Sequence, residues 1–387
     1  MGIMIIRRVV IAPDSFKGSM DAVTVAEVCR QAVMAEFPVA EIVMLPMGDG
    51  GEGTIDAIER KKGGERIPVE TKDPMGRPIV SYFLLFKDGK SAYIESANAI
   101  GLPLLKAEER IPQKLTTEGV GILIKVAIEK GAQDIYIGLG GSATVDGGIG
   151  MLKALGWRFI DGSGKELNGN GSDLIKIAGI EHPKLEIPEN VRITAVCDVK
   201  NPLTGSEGAV YIFGEQKGIK RGELRKAEQG MMNYSEKVKN FTGKDCSDVP
   251  GSGAAGGLGF AMFSFLGAKM ESGADFMADL YNIDKELEKA DLVITGEGCI
   301  DRQTLMGKAP GCILERSKRK GKPVIAFAGK IKDRLELNRG GFSAIYSIGN
   351  PDETTEEAMR EDRAIRHLYE TVAQVMRTID VESQNKL

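Results

Sequence analysis

The stretch DIYIGLGGSATVDGGIGMLKAL (residues 134–155) decides how the rest of the chain is read. Residues 134–139 are mostly apolar and rich in isoleucine, the signature of a buried strand. GGSATVDGG (140–148) then interrupts, because glycine loses more conformational freedom on joining a helix or strand than any other residue. Helical spacing begins at residues 149–155. The same passage recurs outward from this stretch. RVVIA (8–12) leads into PDSFKGS and an amphipathic helix over 21–36, and EIVMLP (41–46) leads into MGDGGEGT and a helix over 55–61. Downstream, VRITAVC (191–197) leads to DVKNPLTG, DLVIT (291–295) to GEGCIDRQT and a helix over 309–319, and PVIAFA (323–328) to GKIKD. Strands alternating with helices predict an α/β fold with a mostly parallel sheet covered on both faces. Ligands of such sheets bind beyond the carboxyl ends of the strands. Here those ends hold the glycines and acids.

Residues 66–105 break the rhythm with alternating runs and two turn signals, DPMGR (73–77) and KDGK (87–90), which predict antiparallel hairpins. The βα rhythm returns near the C-terminus. The expected organisation is therefore a discontinuous, Rossmann- or flavodoxin-like parallel-sheet domain over 1–65 and 285–387. A second α/β domain with a mixed sheet, 66–284, is inserted into it. Helical spacing over 354–379 predicts a packing helix.

Composition narrows the function classes. The 387 residues are 42% hydrophobic and 27% charged with a net charge of −4, which fits a globular chain and gives no basic surface for nucleic acid or anionic membrane. The two histidines and five cysteines show no metal-ligand spacing, and the odd cysteine count suits reduced thiols in a cytoplasmic protein. The apolar start MGIMIIRRVVIAP lacks a cleavage site, and no apolar run reaches the roughly 20 residues of a membrane helix. A homodimer is compatible with this composition. Glycine is the outlier, 49 of 387 residues against a usual share of about 7%.

Three glycine-rich segments, MGDGGEGT (47–54), GGSATVDGG (140–148) and GSGAAGGLG (251–259), have the backbone character of phosphate cradles, and none is a GxxxxGK[ST] loop. Asp14, Asp49, Glu52, Asp146, Asp198, Glu297 and Asp301 all fall close to expected strand ends. Acids beside an anion cradle repel phosphate unless Mg²⁺ bridges them. With histidine scarce, a base for a hydroxyl is an Asp or Glu. Lys17, Arg77, Arg302 and Lys308 supply positive charge in or next to these loops. The pattern points to Mg²⁺-dependent phosphoryl transfer. Two alternatives remain at this level. One is an NAD(P)-linked oxidoreductase using Gly138, Gly140 and Ala143 with Asp161 on a ribose; the other is a non-enzymatic binding protein for a small acid.

Ten segments carry a resemblance to a known family. They are APDSFKGS (12–19), PMGDGGEGT (46–54), DPMGRP (73–78), IGLGGSATVDGG (137–148), CDVKNPLTG (197–205), FGEQKG (213–218), GSGAAGGLG (251–259), ADLVITGEG (290–298), DRQTLMGKAP (301–310) and PVIAFAG (323–329). In this order they resemble the bacterial glycerate kinases of the two-domain α/β type. That resemblance implies an ATP- and Mg²⁺-dependent kinase acting on glycerate in a cleft between two domains, with 2-phosphoglycerate the product in many members. Gly48, Val145, Cys299 and Arg302 depart from the family pattern. From its place just past a buried run and before Asn-Pro, Asp198 is the expected base, with Asp14 second, and Lys17, in DSFKGS after a strand, is the expected catalytic cation. Asp49, Glu297 and Asp301 are the expected Mg²⁺ ligands. Ser15, Gly50, Gly51, Gly53, Arg77, Gly140, Gly141, Ser142, Gly253, Gly256, Arg302 and Lys308 are expected on substrate or phosphate.

Overall fold

The computed structural model describes residues 6–48, 50–51, 53–183, 187–350 and 352–384. The chain divides into two compact units, Met1–Asp49 with Ser272–Leu387, and Gly50–Glu271. The strands in chain order are β1 (Arg8–Ile11), β2 (Glu41–Met44), β3 (Glu65–Lys72), β4 (Pro78–Leu85), β5 (Ser91–Glu95), β6 (Asp134–Gly138), β7 (Arg158–Ile160), β8 (Gly179–Glu181), β9 (Arg192–Val196), β10 (Lys269–Glu271), β11 (Leu292–Ile300), β12 (Val324–Ile331) and β13 (Ala344–Ser347).

The first unit is an open parallel sheet in the order β13-β12-β11-β1-β2. Strand β1 and the first residues of β11 and β12 are buried apolar runs because both faces are covered there, while the edge strands β2 and β13 are partly exposed. Val9 and Ile11 of β1 pack with Val25, Cys29 and Val33 of helix Ala22–Glu36 and with Leu368, Val372 and Met376 of helix Glu361–Gln384. Val10, next along the pleat, is also fully buried, on the other face. Each such side chain contributes about 1.5–3 kcal/mol relative to exposure. Helix Ala22–Glu36 starts where Asp21 accepts the Thr24 N–H at 2.6 Å, satisfying an amide the helix itself leaves open.

The second unit has a six-stranded mixed sheet in the order β10-β9-β6-β5-β4-β3, parallel from β10 to β5 and antiparallel from β5 to β3, as the hairpin signals predict. The β4–β5 turn is held by Asp88, which accepts the N–H groups of Lys90 and Ser91, both at 2.8 Å. Strands β7 and β8 form a separate two-stranded ribbon. Ile94, Ile124, Ile137, Phe159, Tyr234 and Phe260 belong to one core cluster.

Three features differ from the sequence reading. GEGC (296–299) is strand and not loop: β11 runs on to Ile300, with Glu297 paired to Ala328 and Cys299 to Lys330 of β12. Gly296 allows that close pairing, since a Cβ there would lie 2.4 Å from the Phe327 carbonyl. The unit boundaries fall at 49/50 and 271/272, so helix Thr54–Lys62 and the segment just before residue 65 belong to the second unit. Helices Glu118–Glu129, Ala209–Lys217 and Leu224–Thr242 occupy stretches where the sequence reading assigned no element. Among the described residues no helix is long and apolar enough to cross a membrane.

Candidate active site

In the first unit, expected site residues gather at the carboxyl ends of β1 and β11. The N–H of Asp14 donates to the Gly296 carbonyl at 2.8 Å, which ties the loop after β1 to the middle of β11. Asp14 is buried and its carboxylate accepts the Ser15 N–H at 2.6 Å. The loop then turns tightly, with Phe16 and Met20 bonded backbone to backbone, and presents Lys17 to solvent. Gly298 of β11 lies against this turn, where a Cβ would stand 3.4 Å from the Lys17 backbone nitrogen, an ordinary contact.

Glu297, between those glycines, is buried and held from two sides. The Thr304 hydroxyl donates to Glu297 Oε1 at 2.5 Å, and the Lys308 ammonium lies 3.6 Å from Oε2. Burial pushes the Glu297 carboxyl above its ordinary value; Thr304 and Lys308 pull it back, and the neighbouring Asp301 pushes it further up. Asp301 caps the turn Arg302–Met306 by accepting the Gln303 N–H at 2.9 Å. Arg302 is exposed, and its backbone N–H donates to Asp333 at 3.2 Å. Asp49 and Glu52 lie outside the described residues. Among the described residues, no three His, Cys, Asp or Glu side chains converge as a metal-ligand set. Glu297 and Asp301 nonetheless fit Mg²⁺ in the way that ion is usually held, by one or two carboxylates with substrate phosphates completing the shell. Two acids close enough for one to raise the other's proton affinity are a pair that a divalent cation relieves.

In the second unit, glycine does the assembling. A Cβ on Gly138, the last residue of β6, would lie 2.0 Å from the Gly50 carbonyl, and one on Gly140 would lie 2.8 Å from Gly51 Cα. Gly50 in turn has φ +76°, and a Cβ there would lie 2.7 Å from Val196 Cγ1, at the end of β9. The loops containing 50–51 and 138–141 therefore lie backbone against backbone, with Asp198 two residues beyond Val196. Tyr93 of β5 donates its hydroxyl to the Gly50 carbonyl at 3.2 Å. Gly53 precedes helix Thr54–Lys62 with φ +86° and offers it no side-chain cap. The cap comes from Glu95, whose carboxylate accepts the Ile55 N–H at 2.7 Å.

Several expected phosphate ligands have other partners. The Ser142 hydroxyl accepts a hydrogen bond from the buried Lys217 ammonium at 2.8 Å. Asp146 is fully buried and accepts from the Thr117 N–H and hydroxyl and from the N–H groups of Gly148 and Gly150, so it pins the start of helix Ile149–Ala154. Gly253 and Gly256 are buried for packing: a Cβ on Gly253 would lie 2.3 Å from the Pro202 carbonyl, and one on Gly256 2.1 Å from the Thr144 carbonyl. Arg77 braces the β3–β4 turn, paired to Asp73 at 2.5 Å and Glu109 at 2.7 Å. The dinucleotide arrangement is absent as well. The loop after Gly138 runs ten residues before helix Ile149–Ala154 begins, and Asp161 caps its own turn, accepting from Ser163 and Lys165. A Gly-x-Gly site needs the helix to open at the glycines.

Sequence reasoning missed Glu95 and Lys217. Lys217, next to a glycine at a helix end, resembles a solvated capping lysine. Its spacing from the buried Val210 and Gly214 puts it on the apolar face of its helix, which was the available signal.

Comparison with known proteins extends this arrangement over the whole chain. Residues 9–380 match the model of the glycerate kinase family. The chain is 41% identical over 355 residues to a glycerate kinase of Bacillus cereus, covering 91% of this chain and 93% of the relative. It is 40% identical over 382 residues to the glycerate 2-kinase of Escherichia coli K12, covering 96% and 99%. A crystal structure from Salmonella typhimurium LT2, described as glycerate kinase 2, superposes with a TM-score of 0.83 at 37% identity, covering 98% of this chain and 100% of that one. The fold and this full-length likeness define a two-unit α/β kinase. The chain belongs to the glycerate kinase family.

Proposed function

We propose that this kinase transfers the γ-phosphoryl group of ATP to a hydroxyl of glycerate in the presence of Mg²⁺, giving 2-phosphoglycerate, in the cytoplasm. The observation that carries this reading is the 40% identity, across 96% of the chain, to a protein named for phosphorylating glycerate at position 2.

Phosphoryl transfer needs a hydroxyl stripped of its proton and negative charge held as the phosphoryl group moves. Asp198 is the base in this reading. It follows the buried end of β9 on a loop beside Gly50, within a unit that offers no imidazole in either loop. Asp14 is the second candidate, and its bond to the Ser15 amide suits it better to fixing its own loop. Lys17, exposed on the turn after β1, is the cation for a phosphate or for the glycerate carboxylate. Ser15, Arg302 and Lys308 border that turn and the end of β11. The amides around Gly50, Gly51, Gly140 and Gly141 take phosphate oxygens in the second unit. Glu297 and Asp301 would hold Mg²⁺, which when bound neutralises charge on the transferred group. Lys308, 3.6 Å from Glu297, opposes the rise that burial causes in that carboxyl.

The test is steady-state turnover with ATP and a panel of small hydroxy acids, with and without Mg²⁺. Glycerate is expected to give the highest kcat/KM, and turnover to vanish with chelator. ATP consumption that ignores glycerate would overturn the reading.

A further inference from the structure

A buried lysine bonds the loop that carries the exposed Gly141 and half-exposed Gly140 of the second unit. Lys217 ends helix Ala209–Lys217 and is only 5% exposed. Its ammonium donates to the Ser142 hydroxyl at 2.8 Å and to the Thr144 carbonyl at 3.0 Å, both neutral acceptors. Among the described residues it forms no ion pair. Asp146 acts on it through space, but that carboxylate is already occupied by four donors from Thr117, Gly148 and Gly150. An ammonium held away from water by neutral oxygens is costly in free energy, and burial pulls Lys217 down to about 7. The helix C-terminus it occupies favours a cation without neutralising it.

Immediately before Ser142, Gly141 is exposed with φ +74°, and Gly140 is half-exposed. No side chain of their own covers these amides. The corner is fixed on one side by the approach of Gly140 to Gly51, and on the other by bonds from the Leu102 N–H to the Gly141 carbonyl and from the Ala143 N–H to the Ile100 carbonyl. A pair of open amides next in the chain to Ser142, which bonds a buried cation with no ion-pair partner among the described residues, is a half-built anion site.

We propose that Lys217 is the charge that makes the Gly140–Gly141 corner a phosphate-binding one: a phosphate group on these amides supplies the negative charge the ammonium lacks, and its binding draws a proton onto Lys217. The inference rests on the kinase reading above and adds which corner carries phosphate and which cation bonds its loop. The titratable groups facing Lys217 are Asp146 from the same loop and, beyond it, the buried Tyr234 hydroxyl of helix Leu224–Thr242, which burial and Asp146 both hold protonated. Burial pushes the Asp146 carboxyl above its ordinary value too, so loss of the uptake in Lys217→Met is what assigns the proton to Lys217. The ligand is a phosphate group borne either by ATP or by the phosphorylated product.

Calorimetric titration of the full chain at pH 8, in two buffers of different ionisation heat, tests this. At that pH the phosphate groups are already fully ionised, since their second pKa is about 6. Any proton taken up then goes to the protein. ATP and 2-phosphoglycerate are titrated separately, and the one that occupies the corner is expected to bind with uptake of roughly half a proton or more. Lys217→Met is expected to bind that ligand on the order of tenfold more weakly with the uptake gone, while the KM for glycerate is unchanged. Binding of both ligands without proton uptake by the wild-type chain would overturn the proposal whether or not the variant folds. So would unaltered affinity and uptake in Lys217→Met. The kinase reading fails on a different result, the absence of glycerate turnover.

Discussion

The Glu95 carboxylate accepts the Ile55 N–H at 2.7 Å, so an acid at the end of β5 caps a helix whose own leading residue is glycine. Asn98 also donates to it, at 3.2 Å. Burial nevertheless dominates and pushes this carboxyl up to about 7, with Asp56 adding to the rise. The folded protein therefore holds this proton more tightly than the unfolded chain, whose carboxyl titrates near 4.5. The contribution to stability is most favourable below pH 4.5 and is lost as pH rises toward 7, at a cost of about 3 kcal/mol at most. Glu95→Gln removes the titration. Thermal unfolding followed from pH 5 to pH 7 should show a smaller loss of Tm in this variant than in the wild type, and an equal loss would count against the buried acid.

The close approach of Gly138 to Gly50 separates two kinds of glycine. At Gly138 an added methyl meets the Gly50 carbonyl at 2.0 Å, whereas at Gly53 nothing lies within 4 Å and only the φ of +86° opposes a side chain. Gly138→Ala is expected to cost about 2–3 kcal/mol through forced displacement of the loop. Gly53→Ala is expected to cost about 1–2 kcal/mol from backbone strain alone. Denaturant unfolding of both variants checks the order.

At the end of β11, Glu297→Gln keeps the acceptor for Thr304 and removes the charge facing Lys308. Its Mg²⁺ requirement is expected to rise at least about tenfold with the fold intact, the loss expected when one ligand of a metal site is weakened. Asp301→Ala should raise it as well and should loosen the turn Arg302–Met306 that Asp301 caps. A Mg²⁺ titration of activity, paired with a thermal scan, separates the two effects.

Strand runs of the parallel sheets were readable as apolar stretches, and β1, β6, β9 and β12 fall where the pattern sets them; the alternating runs between turn signals set the hairpins β3–β4–β5. Glycine was readable as a marker of special backbone but not of its purpose. Gly253 and Gly256 resemble Gly140 and Gly141 in sequence, yet the first pair is buried against the carbonyls of Pro202 and Thr144 and the second faces outward at least in part. Only the packing partner, far away in the chain, distinguishes them. The same holds for Arg77, whose charge is already taken by Asp73 and Glu109, and for Lys217, whose burial depends on a loop some seventy residues earlier.

Asp198→Asn tests the proposed base. Its side chain keeps nearly the same shape and cannot accept the hydroxyl proton, so kcat should fall about 10²–10⁴-fold with KM for ATP little changed. Steady-state kinetics at saturating ATP provide the comparison, and near-normal turnover would move the role to another acid, Asp14 first.

The most direct measurement is ³¹P NMR of the reaction of the full chain with ATP, Mg²⁺ and glycerate. The account predicts loss of the γ-phosphate signal of ATP in step with one new phosphomonoester resonance, coupled to the proton on carbon 2 of glycerate. A resonance coupled instead to the carbon 3 protons, or release of inorganic phosphate alone, would contradict it.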